Sequence, residues 1–300
     1  MAFVERQISL TFEITDPDSQ AVTRTLIIDG LRIACDVVVA GYGDMPTAQL
    51  QIFGLSPDLM NELSTIGSGL ARYRKNNVMI CAGDAGSPLS QIFVGQITAA
   101  WADYHQAPNV SFNVQAMTGV DKAMLDIGIT SFPNPTNVAD ILKVIVDKIN
   151  AKSNQHIAFI PNGVNVSLDT QYLAGDARSQ CFEVVKTAKI NWNNFDNGTL
   201  EIWPMGGSRS GDSILVAAET GMVGYPTFTY NGMIVTTLFN PRLRYGVLVE
   251  VNSSIPSANQ KDWWIAIVTH ELDSQMPNGR WFSTIDIHNP AVDKPLDKTQ

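Results

Sequence analysis

The chain has 300 residues, 16% of them charged and 45% apolar, with 29 acidic against 20 basic residues and a net charge of −9. That length leaves room for two or three domains with sizeable cores, and the acidity excludes a phosphate-gripping surface, which needs clustered Lys and Arg. The charged fraction lies below the ~25% of an ordinary soluble chain, as extensive protein–protein burial would leave it, although a large all-β enzyme would share the trait. The densest basic group, Arg72, Arg74 and Lys75, reads as a solvated loop.

Cys35, Cys81 and Cys181 are odd in number, widely spaced and set among apolar neighbours, without a CxxC. They are expected to be buried free thiols of a protein folded in a reducing compartment. Met1–Arg6 carries charges and runs directly into a strand, unlike a signal peptide. No apolar run approaches the ~18 residues that span a bilayer. The expectation is a soluble protein with no membrane anchor.

Residues 7–15 alternate, with Ile8, Leu10, Phe12 and Ile14 on one face, which predicts a half-buried strand. Residues 22–28 and 31–39 flank Asp29-Gly30, which predicts a two-residue type I′ hairpin. Residues 47–52 alternate again, and Ser56-Pro57 starts a short helix that should end before Gly67. The strand from Gln91 changes phase, from Ile92 and Val94 to Ile97, Ala99 and Trp101, with Gly95 at the break as a bulge or bend. Val110, Phe112, Val114 and Ala116 face inward on the strand that closes a first β domain, residues 1–118.

A small α+β domain is expected over 119–204. Val138, Ile141, Leu142, Ile145 and Ile149 share one helix face, capped by Asn137 or Thr136, with Lys148 and Lys152 near its C-terminus. A second helix runs from about Asp176 to Lys189 with Ala177, Cys181, Val184 and Ala188 inward, and Asn197-Gly198 turns a hairpin into Thr199–Trp203. The Gly/Ser-rich Met205–Asp212 reads as a linker or mobile loop. Residues 205–290 form a second β domain, with hairpin turns at Asn231-Gly232 and Asn278-Gly279, and 291–300 is a polar tail expected to fray.

Motifs for chemistry fail one by one. His270-Glu271 begins an HExxH, but position 274 is Ser274 and the local pattern is strand. Gly206–Gly211 lacks the GK[ST] ending and following helix of a phosphate loop. Asp16 and Asp18 lack the further oxygen ligands of a calcium loop and read as a solvated turn. The four histidines fall in different predicted elements, and no nucleophile signature accompanies them. The expectation is therefore no enzyme, no catalytic or metal residues and no cofactor. Aromatics crowd the C-terminal sheet at Trp263-Trp264, Trp281-Phe282 and Tyr225 to Tyr230. Consecutive tryptophans on a strand point to opposite faces, so one enters the core and the other is either a partly covered outer residue or an interface residue.

A unit is written twice. Ala48–Leu59, Val78–Ile80, Gln91–Tyr104 and Asn109–Met117 run strand, Phe with a Pro-containing turn, short strand, long strand, turn, alternating strand. Val235–Leu243, Val247–Val251, Asp262–Leu272 and Gly279–Ile287 run the same way. Three such chains in a ring would present six similar units, a device for joining a three-fold object to a six-fold one.

The layout resembles baseplate hub proteins of contractile-tailed phages, the late-control D and Mu-like tail hub family. The resemblance lies in Phe53-Gly54-Leu55-Ser56 before a short helix, in Ile92–Ile97, in Gly221–Thr227 running to Phe239-Asn240-Pro241, and in Trp264–Asp273 followed by Trp281–Thr284. It implies a mainly β fold in which two tube-like β-barrel or sandwich domains flank the small α+β domain. It further implies a homotrimeric ring between a six-fold tail tube protein and a three-fold spike protein, with other baseplate proteins around it and DNA passing through the lumen without specific binding. Such a protein belongs to the virion, assembled in the host cytoplasm. All 300 residues are taken up by this scaffold, leaving none for the lysozyme or peptidase domain that multifunctional hubs carry. The alternatives are a cell-wall hydrolase, which a paired acidic site would mark, and a carbohydrate- or receptor-binding module, where exposed Trp would stack on sugars.

Overall fold

The computed structural model describes residues 5–16, 19, 21–41, 43–65, 76–105, 107–153 and 156–289. Arg72, Arg74, Lys75, Asp18, Gly67 and the tail from 291 lie outside the described residues. The first part comprises β1 (Arg6–Thr15), β2 (Val22–Ile28), β3 (Arg32–Ala40), β4 (Thr47–Phe53), α1 (Pro57–Leu63), β5 (Asn77–Asp84), β6 (Ser90–Asp103) and β7 (Ser111–Met117). The middle holds α2 (Val120–Ala123), β8 (Thr130–Phe132), β9 (Thr136–Asn137), α3 (Val138–Lys152), β10 (Ala158–Pro161), β11 (Ser167–Leu168), β12 (Gln171–Leu173), α4 (Ala177–Ala188), β13 (Ile190–Trp192) and β14 (Thr199–Pro204). The last part comprises β15 (Ile214–Ala217), β16 (Met222–Phe228), β17 (Gly232–Leu238), β18 (Leu248–Asn252), β19 (Trp263–Ser274) and β20 (Trp281–His288).

Alternation decides which way each strand faces. Ile8, Leu10, Phe12 and Ile14 of β1 are all buried, as are Phe112, Val114 and Ala116 of β7. These join one apolar core that also takes in Val235, Val268, Leu272, Ile285 and Ile287 from the last part of the chain. A single 13-stranded sheet surrounds it, ordered β16-β17-β20-β19-β3-β4-β7-β6-β5-β1-β2, with β18 on β19 and β15 on β18. The middle elements keep their own core, built on Ile141, Leu142, Ile145 and Ile149 of α3 and Cys181 and Val184 of α4. Its caps follow the sequence. Asn137 Oδ1 accepts from Ala139 N–H at 2.9 Å, and Asp176 Oδ1 accepts from Ser179 N–H at 2.9 Å.

The doubled unit recurs as topology. β4-β7-β6-β5 and β17-β20-β19-β18 have the same order, all antiparallel, and β3 and β16 flank β4 and β17 in the same way. Even irregularities correspond. β6 bulges between Ile97 and Ala99 against β7, and β19 bulges between Ile265 and Ile267 against β20. Ile97 N–H donates to the Asn76 carbonyl at 2.8 Å, and Ile265 N–H to the Val247 carbonyl at 3.0 Å. The copies differ at their far edge, where β1 meets β5 antiparallel but β15 meets β18 parallel.

Two local expectations are corrected. Asp29-Gly30 turns the chain, with Gly30 at φ 70°, but makes no hairpin. β2 pairs with β1, while β3 has both edges taken, by β4 and by β19, so nothing is left for β2. The phase change in β6 sits at the bulge at Thr98 rather than at Gly95. Phe93, Gly95 and Ile97 face inward before it and Ala100 after it, leaving Ala99 and Trp101 half-buried. Gly95 serves close packing instead, because a β-carbon there would stand 2.8 Å from the Met117 carbonyl carbon. Asn231-Gly232 closes a hairpin as expected, with a positive φ at neither residue. Gly232 is required by crowding, since a β-carbon on it would fall on the Ile287 carbonyl oxygen.

Candidate assembly surfaces

The outward face of the continuous sheet is polar. Register runs one row from Gln115 through Gln49 and Asp36 to Glu271, across four strands of both copies. A second row runs Thr47, Val38, Thr269, Thr284, Thr236. All of these alternate with core residues and lie on the solvent side. Strands β4, β6, β7, β16, β17, β19 and β20 contain no Lys or Arg, and β3 has only Arg32 at its start.

The seam between copies is held by Arg280. Its guanidinium lies 2.9 Å from Asp36 Oδ1 on β3 and 2.9 Å from Glu271 Oε1 on β19, and it also donates to Asp273 Oδ1 at 3.1 Å. The hydrogen bonds it donates to Asp273 push the Arg280 pKa further up, so the charge is fixed. Burial raises the Asp36 pKa, and Arg280 offsets that only in part. A charge in the middle of the apolar alternation Leu31–Val39 was the sequence signal for this clasp; nothing in the sequence pointed to Arg280.

The supposed linker 205–212 is anchored. Arg209 is buried, its Nε donates to Glu201 Oε2 at 2.7 Å, and its Nη1 lies 3.5 Å from Asp196 Oδ2. Its N–H donates to the Gly246 carbonyl at 2.9 Å, tying the middle unit to the last part. Burial raises the Asp196 pKa against the pull of Arg209. Burial works against the Glu201 charge too, but Arg209 and the Ser210 donors together hold its pKa down. On the opposite side Arg178 Nη2 donates to the Gly43 carbonyl at 2.5 Å, and Asn194 Nδ2 to the Asp44 carbonyl at 2.8 Å.

The motifs set aside in the sequence stay apart in space. His270 is fully enclosed on β19, its Nδ1 2.8 Å from Ser283 Oγ, and burial lowers its pKa to about 4. Glu271 points to the other face and into the Arg280 clasp. Asp16 Oδ1 accepts from Ser19 N–H at 2.8 Å. Among the described residues no group of three His, Cys, Asp or Glu side chains is placed to hold a metal ion. No helix among them is long and apolar enough to cross a membrane. Cys35 and Cys181 are buried free thiols whose pKa burial pushes up, and Cys81 is half-buried.

The aromatics rearrange the expected interface. Trp263 and Trp264 are both buried within the chain, Trp264 between Tyr245 and His288 with ring centroids at 6.1 and 5.2 Å. In the C-terminal sheet the exposed aromatics lie instead on the terminal strand β16 and its turn: Tyr225 is 72% exposed, Phe228 50% and Tyr230 101%. No strand covers the outer edge of β16 among the described residues.

A mostly β chain with this polar-faced sheet and an anchored α+β unit has the fold of phage tail and related secretion proteins. It is similar to the 43 kDa tail protein of prophage MuSo2 from Shewanella oneidensis, at 10% identity and a TM-score of 0.60, covering 96% of this chain and 99% of that one. The tail protein from Neisseria meningitidis MC58 gives 9% identity, a TM-score of 0.60 and coverage of 95% and 98%. The E. coli c3393 protein, described as a component of the type VI secretion system, gives 10%, 0.58, and 86% and 74%. No curated protein sequence matches this chain. The family model for baseplate hub gp41 matches residues 7–282, and the chain belongs to that family. It is a structural protein of the bacteriophage tail baseplate.

Proposed function

We propose that the protein forms a homotrimeric ring that adapts the six-fold tail tube to the three-fold spike, and that DNA passes through its lumen. The observation that carries this reading is the doubled unit: one chain supplies two copies of the same strand order with the same bulge in the long strand, so three chains supply six. In this reading residues 1–118 and 205–290 are the two ring units and 119–204 packs between them. A cyclic heterologous contact closes such a ring. The partners are a tube protein on one side, a spike protein on the other and further baseplate proteins outside; the chain is made in the host cytoplasm and ends in the virion.

The polar sheet face supports the channel. Each Lys or Arg contact to phosphate adds affinity without sequence preference, so a conducting lumen works best without them. The rows of Gln, Thr, Asp and Glu across the sheet meet that need, with Arg280, on the Asp36–Glu271 row, neutralised by those carboxylates. In this reading the scaffold carries no hydrolase role: His270 and Glu271, which begin the HExxH-like stretch, face opposite ways and are each bound up locally.

Electron microscopy of tails and of the purified chain tests the reading. Three copies in a ring with a central hole are expected; one or six copies in this layer would overturn it. Peptidoglycan zymograms of the purified protein should stay dark, and lysis abolished by a single carboxylate substitution would restore the hydrolase alternative.

A further inference from the structure

We infer that the exposed edge strand β16 adds to the end of β6, at Ala102 and Asp103, of a second copy of this chain, in the register that joins β3 to β19 within each chain. The inference rests on the three-chain ring proposed above and names the joint between its subunits.

The correspondence of the copies fixes the geometry. β3 and β16 flank equivalent strands, and β19 and β6 are the equivalent long strands. Register makes Phe228 the counterpart of Val37 and Thr227 that of Asp36, because they oppose Met233 and Ile234 as Val37 and Asp36 oppose Ala48 and Gln49. Counted from the shared bulge, Ala102 corresponds to His270 and Asp103 to Glu271. Within the chain Val37 pairs with His270 and Asp36 with Glu271. The same joint between two copies therefore puts Phe228 opposite Ala102 and Thr227 opposite Asp103.

Among the described residues no strand covers the joining edge of either partner. β16 ends the sheet, and β5 covers only the first half of β6, through Gln96. Phe228 is large and half-exposed, and Ala102 is small, so one fills the space the other leaves. The difference in strand length fits as well. β3 runs three residues past Val37, whereas β16 stops at Phe228 and turns. The place that the end of β3 takes against β19 is filled on β6 from within the chain: Thr65 N–H donates to the Ala100 carbonyl at 2.8 Å, and Ala100 N–H donates to Thr65 Oγ1 at 2.8 Å. The chain caps the part of the edge that a shorter β16 would not reach.

Two single variants test the joint, Asp103→Cys and Thr227→Cys. Paired strand positions bring Cα atoms to ~4.5–5.5 Å, within disulfide reach. Tails and purified chain assembled from an equal mixture of the two variants should yield a covalent dimer on oxidation, at least tenfold more than either variant alone. The Asp36→Cys, Glu271→Cys double variant calibrates the geometry inside one chain. Phe228→Asp should lower ring formation at least tenfold while leaving the melting temperature of the monomer unchanged, because the side chain is exposed there. Three copies per ring without the mixed dimer would overturn the β16–β6 joint and leave the ring standing. A layer without three copies would overturn both.

Discussion

The ring of Tyr245 meets Gly41 so closely that a β-carbon on Gly41 would stand 2.1 Å from its Cε2 atom. Gly41 ends the β3 side of the seam and donates its N–H to the Ala266 carbonyl at 3.0 Å, while Tyr245 stacks between Trp203 and Trp264 at 5.3 and 6.1 Å. One glycine thus meets the aromatic column that joins the middle unit to the second copy. Gly41→Ala should destabilise the chain by ~1–3 kcal/mol, the usual cost of overpacking. Chemical denaturation against the parent checks it, and an unchanged midpoint would mean that Tyr245 moves freely.

Arg209→Ala should cost ~3–5 kcal/mol, because it leaves Glu201 and Asp196 as buried charges without their cation. Arg280→Ala should cost less, ~1–3 kcal/mol, since Asp36 and Glu271 are open to solvent and the buried Asp273 keeps the backbone N–H of residue 280 as a donor. Thermal melts of the two variants side by side read the ratio; equal losses would show that burial is not what separates them.

Stability should fall as pH drops from about 6.5 toward 4. His270 has a folded pKa of about 4 against 6.5 in an exposed chain, so between those values the unfolded state binds the proton and the folded state does not. The stability is complete above 6.5 and is lost as pH falls toward 4, by roughly 3 kcal/mol at ~1.4 kcal/mol per unit. His270→Gln should flatten this part of the pH profile measured by urea midpoint. A slope unchanged in the variant would assign it to other groups.

Two glycine substitutions separate crowding from dihedral strain. Gly232→Ala should cost at least ~2 kcal/mol, since its β-carbon has the Ile287 carbonyl in its place. Gly30→Ala, at φ 70° with open space around it, should cost ~1–2 kcal/mol from backbone conformation alone. A Gly232 variant that melts with the parent would disprove the crowding.

Alternation carried most of the fold. Ile8 to Ile14, Phe112 to Ala116 and the α3 stripe Val138 to Ile149 are buried as their spacing requires, because a half-buried strand or helix repeats in two or about 3.6 residues. The repeat was legible for the same reason, since each copy needs the same inward set. What alternation cannot carry is pairing between distant strands. Asp29-Gly30 had the residues of a hairpin turn, and only the occupation of both edges of β3 decides against one. Trp263 and Trp264 satisfied the rule for opposite faces, yet the chain covers both. Gly206–Gly211 looked loose because composition does not show that Arg209 meets buried carboxylates from β14 and from the turn before it.

The pairing of β3 with β19 also sets a timetable. Its partners are separated by 227 residues at Ala40 and Ile267 (267 − 40) and by 241 at Ile33 and Ser274 (274 − 33). At ~5–20 residues per second of synthesis, β3 waits roughly 10–50 s for its second neighbour. For that interval an apolar strand has a bare edge, the state in which strands pair with the wrong chain. Asp36, midway along that edge, is the one charge there to discourage it, and the same carboxylate later accepts Arg280 when β19 arrives.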